Sequence, residues 1–298
     1  MGHSHHHHRE RNLGITVFLN LIITVAEVVG GLLSGSLALL SDALHNFGDT
    51  IAVLSSFIAL KIGKRTPDER MTYGYKRAEI LAALFNTLFL FASLLIIFRE
   101  AVLRLINPIE IKSTLMLIVA VIGFLANLFS VLLLKRHSKE SINIRSAYLH
   151  LIADTLSSVL VVLGAIIIMF TGIRIIDPIF TFLIGILVLK EGISILRESV
   201  AILMQSAPPG VDMDKLKERV EEVEGVKNIH HLHMWRSNDR EIYLEAHVDL
   251  EEDMSISEAD SIRKKIEEVI SGFGINHTTI QMEYDVCEDK DLIRRKSP

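Results

Sequence analysis

The chain has 298 residues, half of them apolar, with a mean hydropathy of +0.38. Its 31 basic and 36 acidic side chains leave a net charge of −5, without the basic excess that neutralises nucleic-acid phosphates. So much apolar surface excludes disorder, and a single cysteine excludes an intramolecular disulfide framework and any zinc site built on two or four cysteines.

The charge is unevenly spread. Residues 1–207 carry 18 basic and 14 acidic side chains, and residues 208–298 carry 13 and 22. The apolar residues crowd into the first part. This pattern predicts a membrane domain over 13–207 and a small cytoplasmic domain over 208–286, joined at Ala207-Pro208-Pro209-Gly210. A His-rich tail precedes them over 1–12, and a charged tail follows over 287–298.

Six apolar stretches approach or exceed the roughly 20 residues that a helix needs to cross a bilayer. They lie near 13–33, 37–61, 79–104, 113–134, 145–171 and 178–203. Turn residues mark breaks at Ser34-Gly35-Ser36, Asn107-Pro108 and Asp177-Pro178. No cleavable signal peptide is expected, because the polar N-terminus runs straight into a long span. The connection between spans two and three holds Lys61, Lys64, Arg65, Arg70, Lys76 and Arg77, and that between four and five holds Lys135, Arg136, Lys139 and Arg145. The other connections offer only Arg104, Lys112 and Arg174. Basic loops stay in the cytoplasm, so both termini are expected there, in the inner (plasma) membrane of a cell.

After Pro209 the periodicity changes. Asp214 to Val223 repeats like a helix, and Val226 to Trp235 and Glu241 to Leu250 alternate like strands around Ser237-Asn238-Asp239-Arg240. Ser257 to Ile270 is helical again, with Ser255 or Ser257 as N-cap, and Ile275 to Tyr284 is a last strand. The order αββαβ predicts a small α+β domain with helices packed on one face of a sheet.

Span two contains His45 and Asp49, and span five contains His150 and Asp154, each pair spaced His-x-x-x-Asp. Residues i and i+4 share one face of a helix. Together the two spans offer two imidazoles and two carboxylates, a donor set that suits tetrahedral Zn²⁺. Counting residues from the span ends puts both pairs near mid-membrane, at a rise of about 1.5 Å per residue. An ionised carboxylate there costs at least about 2.5–3.5 kcal/mol, so it faces a partner or a wet cavity. Asp42, three residues before His45, is placed beside this site or in its outer vestibule. Glu79, Asn20, Asn86 and Asn127 line a path or bond across helices, and Lys190 with Glu191 form an interfacial face.

The C-terminal part is rich in histidine. His230 and His233 on the first strand, His247 on the second, and His277 and Glu283 at the last are candidate ligands of a second, regulatory zinc site. Strand alternation puts His231 and His233 on one face and His230 on the other. Cys287 reads as a surface thiol or an extra ligand. The tract His3-Ser4-His5-His6-His7-His8 reads as a native metal-gathering segment or a tag remnant, and is left out of the fold reasoning. No motif for an organic cofactor or for enzymatic nucleophilic chemistry is present.

These residues resemble the zinc-transporting branch of the cation diffusion facilitator family. The likeness rests on Ser36-Leu-Ala-Leu-Leu-Ser-Asp-Ala-Leu-His45 with Asp49, on Tyr73-Gly-Tyr-Lys-Arg-Ala-Glu-Ile80, on His150 with Asp154, and on His230-His-Leu-His-Met-Trp235 leading to His277-Thr-Thr-Ile-Gln281. It implies a homodimeric antiporter, in which protons enter as zinc leaves the cytosol by alternating access, and a metallochaperone-like cytoplasmic domain that dimerises and binds metal. It implies that His45, Asp49, His150 and Asp154 form the transport site. A further loop site of some relatives uses an aspartate and two histidines. Here Asp68 is present, but Met71 and Tyr75 stand in the histidine positions. A membrane-embedded zinc hydrolase would need an open metal position and a general base, and a metal sensor or scaffold would not need four ligands at mid-membrane.

Overall fold

The computed structural model describes residues 20–135, 142–238 and 241–293. The His3–His8 tract, the start of span one, the side chains of Arg136, Lys139 and Arg145, the turn residues Asp239 and Arg240, and the last five residues lie outside the described residues. Five helices are long and apolar enough to cross a membrane. They are α2 (Leu37–Gly63), α3 (Ala78–Ile106), α4 (Ser113–Lys135), α5 (Ile142–Thr171) and α6 (Ile176–Leu203). With α1, described over Asn20–Ser34, they make the six expected spans.

By contacts the chain divides into two units, one of Met1–Ile58 with Ala82–Leu196 and one of Ala59–Leu81 with Arg197–Pro298. The core of the first unit gathers Leu39 of α2, Leu94 of α3, Met116 and Ala120 of α4, Val161 and Ala165 of α5, and Ile184 of α6. Large apolar side chains such as Leu32, Phe57, Phe85, Leu95, Ile96 and Phe170 point outward and are exposed. That is the surface a bilayer solvates.

The first break falls where expected. Gly35 takes φ +77°, a left-handed conformation that glycine adopts without strain, and its N–H closes α1 on the Gly31 carbonyl. Ser36 then caps α2, accepting from the Leu39 N–H at 3.1 Å. The break expected at Asp177-Pro178 is displaced. Helix α6 already begins at Ile176, and Pro178 sits in its first turn, where its missing N–H leaves no helical bond unmade. Asp177 instead works between helices. Its buried carboxylate accepts from Ser36 Oγ at 2.6 Å and from the N–H groups of Leu37 and Ala38 at 2.7 and 3.2 Å. A carboxylate from α6 thus satisfies and neutralises the positive end of α2.

The chain from Met213 onward forms α7 (Met213–Glu221), β1 (Val226–Arg236), β2 (Ile242–Leu250), α8 (Ile256–Ser271) and β3 (His277–Glu283). The sheet order is β1-β2-β3. Strands β1 and β2 pair antiparallel, and β2 and β3 pair parallel. A parallel neighbour requires a crossover, which α8 supplies. Leu216 and Val220 of α7 and Ile266 and Ile270 of α8 pack on Ile229, Leu244, Ala246 and Val248 of the sheet. Asp212 caps α7 by accepting from the Lys215 N–H at 3.1 Å, and Ser255 forms a reciprocal capping box with Glu258 at the start of α8.

Candidate functional site

Helices α2 and α5 bring both His-x-x-x-Asp pairs together. His45 Nε2 lies 3.3 Å from Asp154 Oδ1, and His150 Nε2 lies 3.1 Å from Asp49 Oδ2. The pairs within each helix are 3.8 Å apart at both places. The two imidazole rings meet edge to face, 5.9 Å between centroids. His45, Asp49 and Asp154 each turn a ligand atom to within 4.8 Å of the others. Asp154 Oδ1 and His45 Nδ1 are buried and make no hydrogen bond. His45 Nε2, 3.3 Å from that oxygen, donates to it only when it carries a proton, and otherwise the buried oxygen is costly unless a cation takes the donor's place.

Exposure is graded across the site. The side chains of His45 and Asp154 keep 9% and 2% of their surface, against 34% and 26% for His150 and Asp49. The more open pair lies on one side, toward the C-terminal half of α2 and the N-terminal half of α5. A cavity reaches the site there, lined by His45, Asp49, Ala52, Asn86, Glu191 and Ile195 among others. Glu191, expected at an interfacial face, instead puts Oε1 3.7 Å from His150 Nδ1 and lines this cavity. Lys190 is exposed, as an interfacial residue is.

The opposite side is closed by hydrogen bonds. Buried Asp42 accepts from the hydroxyls of Ser157 and Ser158, and Asn127 Nδ2 donates to Ser158 Oγ at 3.0 Å. Asn46 Nδ2 donates to Glu27 Oε2 at 2.8 Å. Sequence reasoning passed over Glu27, although an acid in an apolar span was a signal. It is 1% exposed, and Gly123 of α4 leaves the room it needs: a Cβ there would come within 2.5 Å of Glu27 Oε1. Asn86 donates to Ser55 across α3 and α2, one of the interhelical bonds expected of the asparagines.

A second cluster sits in the sheet. His230, His231, His247 and Cys287 turn ligand atoms to within 4.8 Å of one another. The expectation that His230 and His231 face opposite sides fails because β1 carries an irregularity between His230 and His233, and His231 takes φ +49°. A bulge breaks the period of two. The rings of His230, His231 and His247 then lie 4.9 to 5.6 Å apart. Glu283 closes the group, 2.9 Å from His230 Nε2 and 3.2 Å from His247 Nδ1. Cys287 Sγ is 3.6 Å from Glu283 Oε2 and 3.7 Å from His247 Nδ1. The two other expected ligands lie apart. His233 is exposed opposite Glu245, and His277 is exposed with its ring against Tyr243 at 5.2 Å.

Burial holds the His230 imidazole below its ordinary pKa, with Lys290 and His231 adding to the effect. Burial pushes the Glu283 carboxyl up, but the Cys287 thiol, His230 and His247 outweigh it and hold the group below the usual range. A neutral imidazole beside an ionised carboxylate is the form a divalent cation binds. His231 Nε2 is buried and makes no hydrogen bond, a position that fits a bound cation.

In the connection between α2 and α3, Asp68 is already engaged. Its carboxylate accepts from the N–H groups of Arg70 and Met71 at 2.8 Å and from the Tyr75 hydroxyl at 2.6 Å.

Residues 13–204 match the model of the cation efflux transmembrane domain, and residues 208–285 match that of the cation efflux protein cytoplasmic domain. The metal cation efflux system protein CzcD of Cupriavidus metallidurans is 40% identical over 97% of this chain and 92% of its own length. The zinc transporter ZitB of Pectobacterium atrosepticum is 38% identical over 97% and 91%. The cadmium, cobalt and zinc/H(+)-K(+) antiporter of Bacillus subtilis is 37% identical over 98% and 95%.

Proposed function

The chain belongs to the cation efflux family, and on that premise we propose that it exports divalent zinc from the cytosol in exchange for protons. It is a transporter and not an enzyme. The observation that carries the reading is the convergence of His45, Asp49, His150 and Asp154 from two antiparallel helices, with a buried oxygen of Asp154 turned to His45 Nε2 at 3.3 Å. Two imidazoles and two carboxylates suit a borderline ion such as zinc, whereas Mg²⁺ and Ca²⁺ prefer shells of oxygen alone. The names of the relatives, a zinc transporter and a zinc/H(+)-K(+) antiporter among them, support zinc and protons as the exchanged ions.

The chain works as a homodimer in the inner membrane, with both termini in the cytoplasm. The basic connections between α2 and α3 and between α4 and α5 support that orientation. The cavity beside Asp49 and Glu191 then opens to the cytoplasm, while the Asp42, Ser157, Ser158 and Asn127 network closes the outer side. Zinc enters by the open side, and alternating access releases it on the other. Proteoliposomes test this. Zinc should accumulate behind the reconstituted chain, and excess Mg²⁺ should leave the rate unchanged. Equal uptake of Mg²⁺ would count against a site selective through imidazole.

The cluster of His230, His231, His247, Glu283 and Cys287 is a second, regulatory zinc site in this reading. A chain with His45→Ala and Asp154→Ala should still bind zinc, and His247→Ala with Cys287→Ser should remove that binding. The pH dependence has a definite sign. The pKa of His230 is depressed, so acid must go below the ordinary histidine value of about 6.5 before protons displace zinc from it. Proton competition at His230 should therefore begin only below about pH 6.5, and Cys287→Ser, which removes the thiol proton, isolates it. Calorimetric titration of the His45→Ala, Asp154→Ala chain carrying Cys287→Ser at several pH values reads this, and a binding loss centred above neutrality would refute it.

A further inference from the structure

Beside the ends of α3 and α6 lies a cavity of about 380 Å³ that neither metal site uses. Its lining includes Arg70, Tyr73, Arg77, Gln205, Trp235 and Tyr243, and no acidic side chain among the described residues. The aromatic wall is ordered. Trp235 stacks on Tyr243 at 5.6 Å and 12°, and Tyr73 meets the same ring edge-on at 5.5 Å. The connection that carries Arg70 and Arg77 is held in shape by the Asp68 bonds and by Gly74 at φ +76°.

The charges around the cavity are unevenly satisfied. Lys76 is paired with Glu241, and Arg236 Nη1 is paired with Glu198 Oε1 at 2.6 Å. Arg70 and Arg77, the two cations that line the cavity, make no ion pair with any described residue. The nearby described acids are thus already engaged, and Arg70 and Arg77 line a space with no unpaired acid among the described residues. Guanidinium matches the geometry of phosphate oxygens with paired N–H donors.

The position identifies the source of the phosphate. Arg77 directly precedes the first residue of α3, and Gln205 follows the last residue of α6 by two. Both helices span the membrane, so the cavity lies at the depth of lipid headgroups. Trp235 and Tyr243 come from the part of the chain that matches a cytoplasmic domain. Leu81 and Met204, on the membrane side, are exposed apolar side chains that an acyl chain can cover. Tryptophan, tyrosine and arginine at that depth are what a membrane interface selects, and basic pockets at cytoplasmic helix ends bind acidic headgroups. We propose that this cavity binds the phosphate headgroup of an anionic phospholipid from the cytoplasmic leaflet, through Arg70 and Arg77 against the Trp235–Tyr243 wall.

Trp235 is the only tryptophan in the chain and reports on its own pocket. The full chain is reconstituted in zwitterionic vesicles doped with brominated phosphatidylglycerol or brominated phosphatidylcholine at equal low mole fraction. Quenching of Trp235 should favour the glycerol lipid, and each arginine changed to Gln should weaken that preference about fivefold. Arg70→Gln with Arg77→Gln should remove it, while Lys64→Gln, a change outside the cavity, should leave it intact. Should the double variant fail to insert, the single Arg77→Gln change and the wild-type comparison of the two lipids decide. Equal quenching by both lipids, or a preference that survives loss of the arginines, overturns the proposal. So does a response of Trp235 to millimolar inorganic phosphate in undoped vesicles with the same arginine dependence, since the site would then serve a free anion.

Discussion

Replacing Asp154 with alanine should lower zinc transport by at least about 100-fold while the chain still inserts in the membrane. Loss of a residue that merely orients a metal ligand costs about 10- to 100-fold, and Asp154 is placed as a ligand itself. It is the most buried of the four groups, 2% exposed, and its Oδ1 has no hydrogen bond. Removing it leaves His45 Nε2 without the oxygen 3.3 Å away and leaves three donors for an ion that prefers four. Asp154→Asn separates charge from shape. It keeps the volume and loses the anion, so it should be almost as inactive. Alanine at His45, Asp49 or His150 should act in the same direction. Uptake of ⁶⁵Zn into everted vesicles, normalised to inserted protein, reads all four. Unaltered transport by an Asp154 variant would overturn the site.

Zinc affinity of the membrane site should fall steeply between about pH 7 and about pH 5.5, because protons compete with zinc for its two imidazoles. The sign follows from competition. Zinc binds only the deprotonated imidazole, so each histidine contributes a factor that is near one above its pKa and grows tenfold per pH unit below it. Protons and zinc compete for both His45 and His150, so the two effects multiply. The consequence is directional. A neutral cytosol favours loading on the open side, and a more acidic exterior favours release with uptake of protons. Titration of the purified chain with a competing zinc dye across this range measures the slope. The chain with His45→Ala should show a shallower dependence, close to a single proton. An affinity indifferent to pH in the wild-type chain would leave zinc and proton movements uncoupled.

The parts legible from sequence are those governed by local periodicity. Helical spacing by itself puts His45 beside Asp49 and His150 beside Asp154, and counting residues from the helix ends puts the two pairs at one depth. The αββαβ order was equally readable, because apolar periods of 3.6 and 2 change cleanly along 213–283. Contacts between distant segments were not. Asp177 looks like half of a loop signal, but it caps α2 from 140 residues away. Glu27 finds Asn46, and Asp42 finds Ser157 and Ser158, only once the helices pack. The place of His231 is not legible, because strand alternation does not hold through a bulge that no residue in β1 announces. Cys287 reads from sequence as a surface thiol or an extra ligand, and the chain beyond β3, where no periodicity acts, carries it to the cluster.

Counterflow in proteoliposomes tests the central claim most directly. The chain is reconstituted with a zinc dye and a pH dye inside, with potassium equal on both sides. An imposed proton gradient, acid inside, should drive zinc inward against its own gradient, and added zinc should drive protons outward. Both fluxes should vanish together in Asp154→Ala. Zinc accumulation that continues uphill after the proton gradient is collapsed would contradict exchange.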